Sequence, residues 1–246
     1  MRGTRAEQSL SLWVTIQTAG ISLEGDLRLP AGAHGVVVFP HGSGIRRGPR
    51  DGVVAQQLRE MGLGTLVLTL LTAEEQNLDA RSACFRFDTN LLAGRLKAIT
   101  EWLAEEPTTQ GLPIGYFGGS SGAAAVLTAV AERPDAVGAV VLQNGRPNLP
   151  AAALVRVLTP TLILVGGDEE PDINLNEPIV EQLGTTDKQF VVVPVAALGP
   201  NQPGGLEEVA RLAAEWFTAH PNRSAGSPHA NNKKTPTHQT VPASSR

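Results

Sequence analysis

The chain has 246 residues and a net charge of −4, and 41% of its residues are apolar. This composition supports one sizeable core, while the charge gives no electrostatic case for binding nucleic acid or an anionic membrane surface. The one cysteine, Cys84, excludes an intrachain disulfide. Because neither a signal-peptide pattern nor a bilayer-length apolar run occurs, the sequence predicts a soluble cytoplasmic protein.

The predicted elements begin with an antiparallel hairpin, in which apolar and polar residues alternate on both sides of a turn at Ala19-Gly20. Continuous apolar runs follow, typical of strands covered on both faces, and segments of helical periodicity lie between them. This alternation predicts a doubly wound, mostly parallel sheet of about eight strands. The predicted strands are 35–39, 63–71, 112–117, 137–142, 161–165 and 190–193, and the helices are 53–61, 91–103, 124–130 and 206–217.

The last stretch of the chain has a different composition. Residues 221–246 are mostly Ser, Thr, Pro, Asn, Lys and His, with almost no apolar side chains. Such a segment cannot offset its ordering entropy by burial, so it is predicted to be disordered. The predicted organisation is therefore one domain over residues 1–220 and a disordered tail over residues 221–246.

Two glycine-rich turns follow predicted strands. Gly118-Gly119-Ser120-Ser121-Gly122 fits G-x-S-x-G between an apolar strand and an Ala-rich helix, the setting of a nucleophile elbow. Ser120 would then be the nucleophile, and the N–H of Ser121 would bind the oxyanion. His41-Gly42-Ser43-Gly44 follows an earlier strand, where Gly42 or Ser43 could give the second N–H of an oxyanion hole. The alternative is that both turns are glycine-rich only for close packing.

With these motifs the sequence resembles the dienelactone-hydrolase-like branch of the α/β-hydrolase superfamily, and specifically its members with a serine nucleophile. The resemblance covers roughly residues 12 to 218. It implies an α/β-hydrolase fold without a cap domain and a hydrolase of esters or lactones that uses no metal and no organic cofactor. Besides the two turns, it rests on 23–27, Arg86-Phe87-Asp88, Gly115-Tyr116-Phe117-Gly118, Gly145-Arg146-Pro147 and 214–217.

The rest of the catalytic triad departs from the family pattern. Two glycines, a variable residue and then Asp should follow the strand at 161–165, which puts the acid at Glu169, with Asp168 one residue early. A solvated acidic loop is the alternative for both residues. The family's histidine position is occupied by Leu198. Without a base a serine hydroxyl is a weak nucleophile. Only His41 among the remaining histidines lies at the correct end of its strand, and the usual role of a histidine in such a loop is structural.

Two functions therefore compete. The first is a hydrolase of small carboxylic esters, lactones or thioesters, impaired because Leu198 replaces the histidine. The second is a non-catalytic relative that binds a small molecule or a protein in the same pocket. The expected partner is a small-molecule substrate or ligand, with no nucleic acid and no membrane, and the chain is expected to be a monomer or a homodimer.

Overall fold

A computed structural model describes residues 8–42, 49–119, 122–145, 149, 151–167, 170–193, 205–221 and 238–240. These residues form one sheet with helices on both faces. The strands are β1 (Leu10–Thr18), β2 (Ile21–Leu29), β3 (Val36–His41), β4 (Gly64–Thr69), β5 (Ile114–Gly119), β6 (Ala139–Gln143), β7 (Thr161–Gly166), β8 (Lys188–Val193) and β9 (His238–Thr240). The helices are α1 (Pro49–Glu60), α2 (Ala73–Ser82), α3 (Thr89–Glu105), α4 (Gly122–Glu132), α5 (Ala151–Leu154), α6 (Glu170–Gln182) and α7 (Gly205–Ala219).

The strand order is β1-β2-β4-β3-β5-β6-β7-β8-β9. Strand β2 runs antiparallel to both of its neighbours, and all the other neighbouring strands are parallel. The predicted mixed sheet of about eight strands is confirmed, with β9 as a short addition at one edge. Since β4 follows β3 on one side and β5 lies on the other, the strand order reverses between β3 and β5.

The N-terminal hairpin is confirmed, and both residues of its turn have a left-handed backbone conformation. Ala19 and Gly20 both have positive φ, at 47° and 82°, and they connect the paired residues Thr18 and Ile21. Two consecutive residues with positive φ match the right-handed twist of the flanking strands, which is why such two-residue turns are common in hairpins.

The continuous apolar strands are buried because helices cover both faces of the sheet. Residues of α1 and α7 form one core with the sheet, which includes Val54, Leu58, Val209 and Phe217. Residues of α3, α4, α5 and α6 form a second core with the opposite face. Both faces of the central strands are therefore dry, as the apolar runs predicted.

Helices α2 and α6 were not among the predicted helices. Helix α2 has few apolar residues but begins with a complete capping box, in which Thr72 and Glu75 bond each other's backbone N–H groups. Helix α6 contains Pro178, which interrupts the pattern expected of a helix.

Strand β9 lies within residues 221–246, the predicted tail. Strand β9 pairs with β8 in parallel, with His238 opposite Phe190, and was not predicted; residues 222–237 and 241–246 lie outside the described residues. The predicted boundary and disorder of the tail therefore remain predictions.

Among the helices that the structure describes, none is both long enough and apolar enough to cross a membrane.

Candidate active site

The carboxyl ends of β3, β5, β6, β7 and β8 meet at one edge of the sheet, because these strands are parallel neighbours. The strand order reverses between β3 and β5, and in open α/β sheets the ligand crevice lies outside the strand ends at such a point. Both glycine-rich turns identified in the sequence follow these two strands. The topology therefore brings the two turns to the edge where this fold binds ligands.

The turn after β5 approaches the end of β3 closely at Gly122, the first residue of α4. A Cβ atom at Gly122 would lie 2.7 Å from the carbonyl oxygen of Pro40. Only glycine allows this approach, so the start of α4 is held against the residue that precedes His41. The predicted nucleophile Ser120 and the predicted oxyanion donor Ser121 lie outside the described residues.

The end of β3 carries His41 and the buried Gly42. The carbonyl oxygen of His41 accepts a hydrogen bond from the N–H of Leu70 at 2.9 Å, which fixes this strand end to the segment after β4. The His41 imidazole is 19% exposed, and its Nδ1 lies 3.8 Å from Oδ2 of Asp51. Its Nε2 is buried and unpartnered among the described residues. Ser43, the other predicted donor of this turn, lies outside them.

Burial and charge act on His41 in opposite directions. Burial disfavours the imidazolium and is the larger effect, so the pKa of His41 is lowered from its usual 6.5, although the Asp51 carboxylate acts to raise it. His41 is therefore neutral at pH 7 and able to accept a proton. The sequence did not indicate Asp51 as its neighbour, because nine residues lie between the two positions.

The ends of β6 and β7 are joined by Asn144, whose structural role the sequence did not indicate. Its Oδ1 accepts a hydrogen bond from the N–H of Gly166 at 3.2 Å, and its own N–H donates to the carbonyl of Leu164 at 2.9 Å. Its φ is +45°, a conformation that Asn adopts more readily than most residues. Asn144 thus fixes the strand end that precedes the predicted acid.

The acid and base positions follow β7 and β8. The N–H of Gly167 donates to the carbonyl of Val193 at 2.8 Å, so the chain leaves β7 and β8 from adjacent points. Asp168, Glu169 and Leu198 lie outside the described residues, and their predicted roles remain predictions. Within the described ranges, no group of three or more His, Cys, Asp and Glu side chains is arranged to bind a metal ion.

Two other described histidines, His34 and His220, are at the opposite edge of the sheet. His34 and His220 line a small pocket at the amino ends of β3, β5 and β6, together with Ile114 and Phe217. His220 also packs on Trp216, with ring centroids 4.2 Å apart. A six-residue strand is roughly 20 Å long, which separates this pocket from His41.

The fold and this arrangement of strand ends define an α/β hydrolase. Comparison with solved structures agrees: the chain superposes on dienelactone hydrolase from Anabaena variabilis with a TM-score of 0.81 and 46% identity, over 87% of this chain and 99% of that one. The chain belongs to the dienelactone hydrolase family. An esterase domain of a Rhodothermus marinus protein has the same fold, with a TM-score of 0.64 and 17% identity over 86% of this chain and 99% of that one.

Two curated relatives from Mycobacterium tuberculosis strains CDC 1551 / Oshkosh and ATCC 25618 / H37Rv carry a different name. Each is 41% identical over 208 residues, and each is named as a candidate phosphoribosyl transferase. The match covers 84% of this chain but 46% of each relative, so the chain spans about half the length of these proteins. No family model matches the chain.

Proposed function

We propose that this chain hydrolyses small carboxylic esters, lactones or thioesters with Ser120 as the nucleophile, and that turnover is impaired because Leu198 replaces the expected histidine. The observation that carries the proposal is the contact between Gly122 and the Pro40 carbonyl at the reversal of strand order. This contact joins the G-x-S-x-G turn to the His41-Gly42 turn. Nucleophile and oxyanion donors come from these two turns in enzymes of this fold.

In the proposed reaction the Ser120 hydroxyl attacks the substrate carbonyl, and the alkoxide that forms is bound by backbone N–H groups. Ser121 would give one N–H, and Gly42 or Ser43 would give the other. Such donors stabilise charge that develops only in the transition state, and removing one commonly costs about 10²–10³-fold in rate. Glu169 or Asp168 would supply the carboxylate. No metal or organic cofactor is required for these steps.

Phosphoribosyl transfer is not proposed for this chain. The chain covers 99% of the dienelactone hydrolase structure but 46% of each relative named for the transferase. The name of those proteins can therefore rest on the part of them that this chain does not match. The sequence also contains no phosphate-binding glycine motif.

The specific observation in favour of the second function, binding without catalysis, is Leu198. A triad without one member typically retains only about 10³–10⁴-fold acceleration over water. A protein with so little activity would keep the pocket and the fold while its selected function became binding.

The test uses p-nitrophenyl acetate turnover and labelling by a fluorophosphonate probe. Wild type is expected to turn over slowly and to form an adduct that mass spectrometry assigns to Ser120. Ser120→Ala should abolish both, while Ser82→Ala, which changes an exposed serine on α2, should leave both unchanged. If wild type shows neither turnover nor labelling, or if Ser120→Ala keeps them, the hydrolase proposal is wrong.

A further inference from the structure

His41 has a buried nitrogen that the described part of the chain does not satisfy. The side chain is 19% exposed, yet its Nε2 is buried without a hydrogen-bond partner among the described residues. Buried polar atoms without partners are unfavourable and uncommon, so each one requires an explanation. Building on the hydrolase function proposed above, we propose that His41 is the general base of the reaction and that Asp51, rather than Glu169 or Asp168, orients its ring.

The register of the sheet brings His41 level with the nucleophile turn. The last residue pair of β3 and β5 is Val38 with Tyr116, and His41 and Gly119 each end their strand three residues beyond it. Gly119 immediately precedes Ser120 in the chain. Adjacent strands are only about 4.8 Å apart, which is within the reach of an imidazole side chain. The close approach of Gly122 to Pro40 independently holds the two turns together.

Asp51 is suited to act on the other ring nitrogen. It lies in the first turn of α1, and its Oδ2 is 3.8 Å from His41 Nδ1. This separation is longer than a hydrogen bond, but catalytic hydrogen bonds are often long before substrate binds and shorten in the complex. A carboxylate beside Nδ1 holds the tautomer with an unprotonated Nε2 and stabilises the imidazolium that forms.

The surroundings of His41 keep it neutral and ready to accept a proton. Burial lowers its pKa from 6.5, and the charge on Asp51 opposes this shift without reversing it. The neighbouring strand β4 has no ionisable side chain, and β5 has only Tyr116, whose hydroxyl bonds to Thr100. The first turn of α4 has none. Asp51 is thus the charged group that controls this imidazole within the described part of the chain.

The proposed reaction uses the substrate and water as its only reactants. Nε2 of His41 removes the Ser120 hydroxyl proton as the oxygen forms a bond to the substrate carbonyl carbon. The imidazolium then returns that proton to the leaving alcohol or thiol as the bond between the carbonyl carbon and the leaving group breaks. In the second half, His41 takes a proton from water, water attacks the acyl carbon, and the Ser120 oxygen leaves and regains the proton.

The test measures kcat/KM for p-nitrophenyl acetate in His41→Ala with and without added imidazole. The expected loss is at least about 10²-fold, the low end of what a positioned base supplies. Imidazole should restore part of the activity, because it can occupy the space left by the side chain; loss of a purely structural histidine would not be rescued catalytically. His34→Ala is the matched control, since His34 is near the opposite end of the same strand, and it should retain wild-type activity.

A second variant tests the proposal without emptying the site. In wild type kcat/KM should rise with pH through the His41 pKa, below 6.5, and then level off. Asp51→Asn removes the charge that raises this pKa, so the rise should move to lower pH and kcat should fall about 10-fold. If activity survives His41→Ala but not Ser120→Ala, the proposed role of His41 is wrong while the proposed hydrolase function stands. An unshifted pH profile in Asp51→Asn has the same meaning. Activity that is absent, or that survives Ser120→Ala, overturns the proposed function itself.

Discussion

Gly122→Ala is expected to reduce activity more than stability, because it separates the two turns that form the site. The added Cβ would lie 2.7 Å from the Pro40 carbonyl oxygen, closer than a carbon and an oxygen can pack. Pro40 is in β3, which pairs with β4 on one side and with β5 on the other, so this oxygen cannot easily move away. The start of α4 must therefore shift by at least a few tenths of an ångström.

The size of both effects follows from this shift. Overpacking by one methyl group typically costs about 1–3 kcal/mol, part of which the better helix propensity of alanine offsets. With a net cost of about 1–2 kcal/mol, Tm should fall by roughly 2–8 °C in a domain of this size. A displacement of about 1 Å can cost 10²-fold in rate, so a few tenths of an ångström should lower kcat/KM about 10-fold.

The assay pairs a thermal melt with p-nitrophenyl acetate kinetics for wild type, Gly122→Ala and the control Gly94→Ala. Gly94 is in α3, and a Cβ there would meet no atom within 4 Å. The control should therefore keep full activity and gain about 0.5–1 kcal/mol of stability. If Gly122→Ala behaves like Gly94→Ala in both measurements, the contact with Pro40 does not hold the two turns together.

Three further predictions concern the base, a partly buried ion pair and the tail. In a His41→Ala background, Leu198→His should raise ester turnover by at least about 10²-fold, a gain that Ser120→Ala should remove; a double variant no faster than His41→Ala would contradict this. Bonds from Arg95 hold the pKa of Glu75 below its usual 4.5, so this pair stabilises the fold above pH 4.5 and loses that effect as pH falls through the lowered pKa. Glu75→Gln should therefore cost about 1–3 kcal/mol in urea unfolding at pH 7 but much less at pH 3, and an equal cost at both would refute the assignment. Removing residues 222–246 also removes the three-residue edge strand β9, but it should change Tm by less than about 2 °C, since a composition so poor in apolar residues buries little; a larger drop would show that this segment stabilises the domain.

The central strands could be predicted from the sequence because a strand that is buried on both faces requires a continuous run of apolar residues. The helices with a clear apolar stripe could be predicted for the same reason. Helix α2 could not, since its buried residue is the charged Asp79 rather than part of an apolar stripe, but its capping residues Thr72 and Glu75 were a readable signal. Helix α6 was hidden by Pro178, which tertiary packing tolerates here against its local preference.

The candidate site was predictable only where the backbone requires particular residues. The glycines of the two turns indicated the site because a close approach such as that of Gly122 excludes every other side chain. Contacts that depend on how distant segments fold, such as Asp51 beside His41, leave no pattern in the sequence. Asn144 is intermediate: its positive φ is a conformation typical of Asn, but its bond to Gly166 required the structure.

A base on β3 and a base at position 198 require different orientations of the bound substrate. Strand β5 lies between β3 and β6, so β3 and β8 approach the nucleophile turn from opposite sides. In the dienelactone hydrolase pattern the base follows β8, across the site from the oxyanion turn, whereas His41 and Gly42 are consecutive residues. The leaving group would then have to face β3 to receive its proton. A histidine introduced at Leu198 would instead serve a leaving group that faces β8, so it should rescue His41→Ala with an altered preference among leaving groups rather than restore the original one.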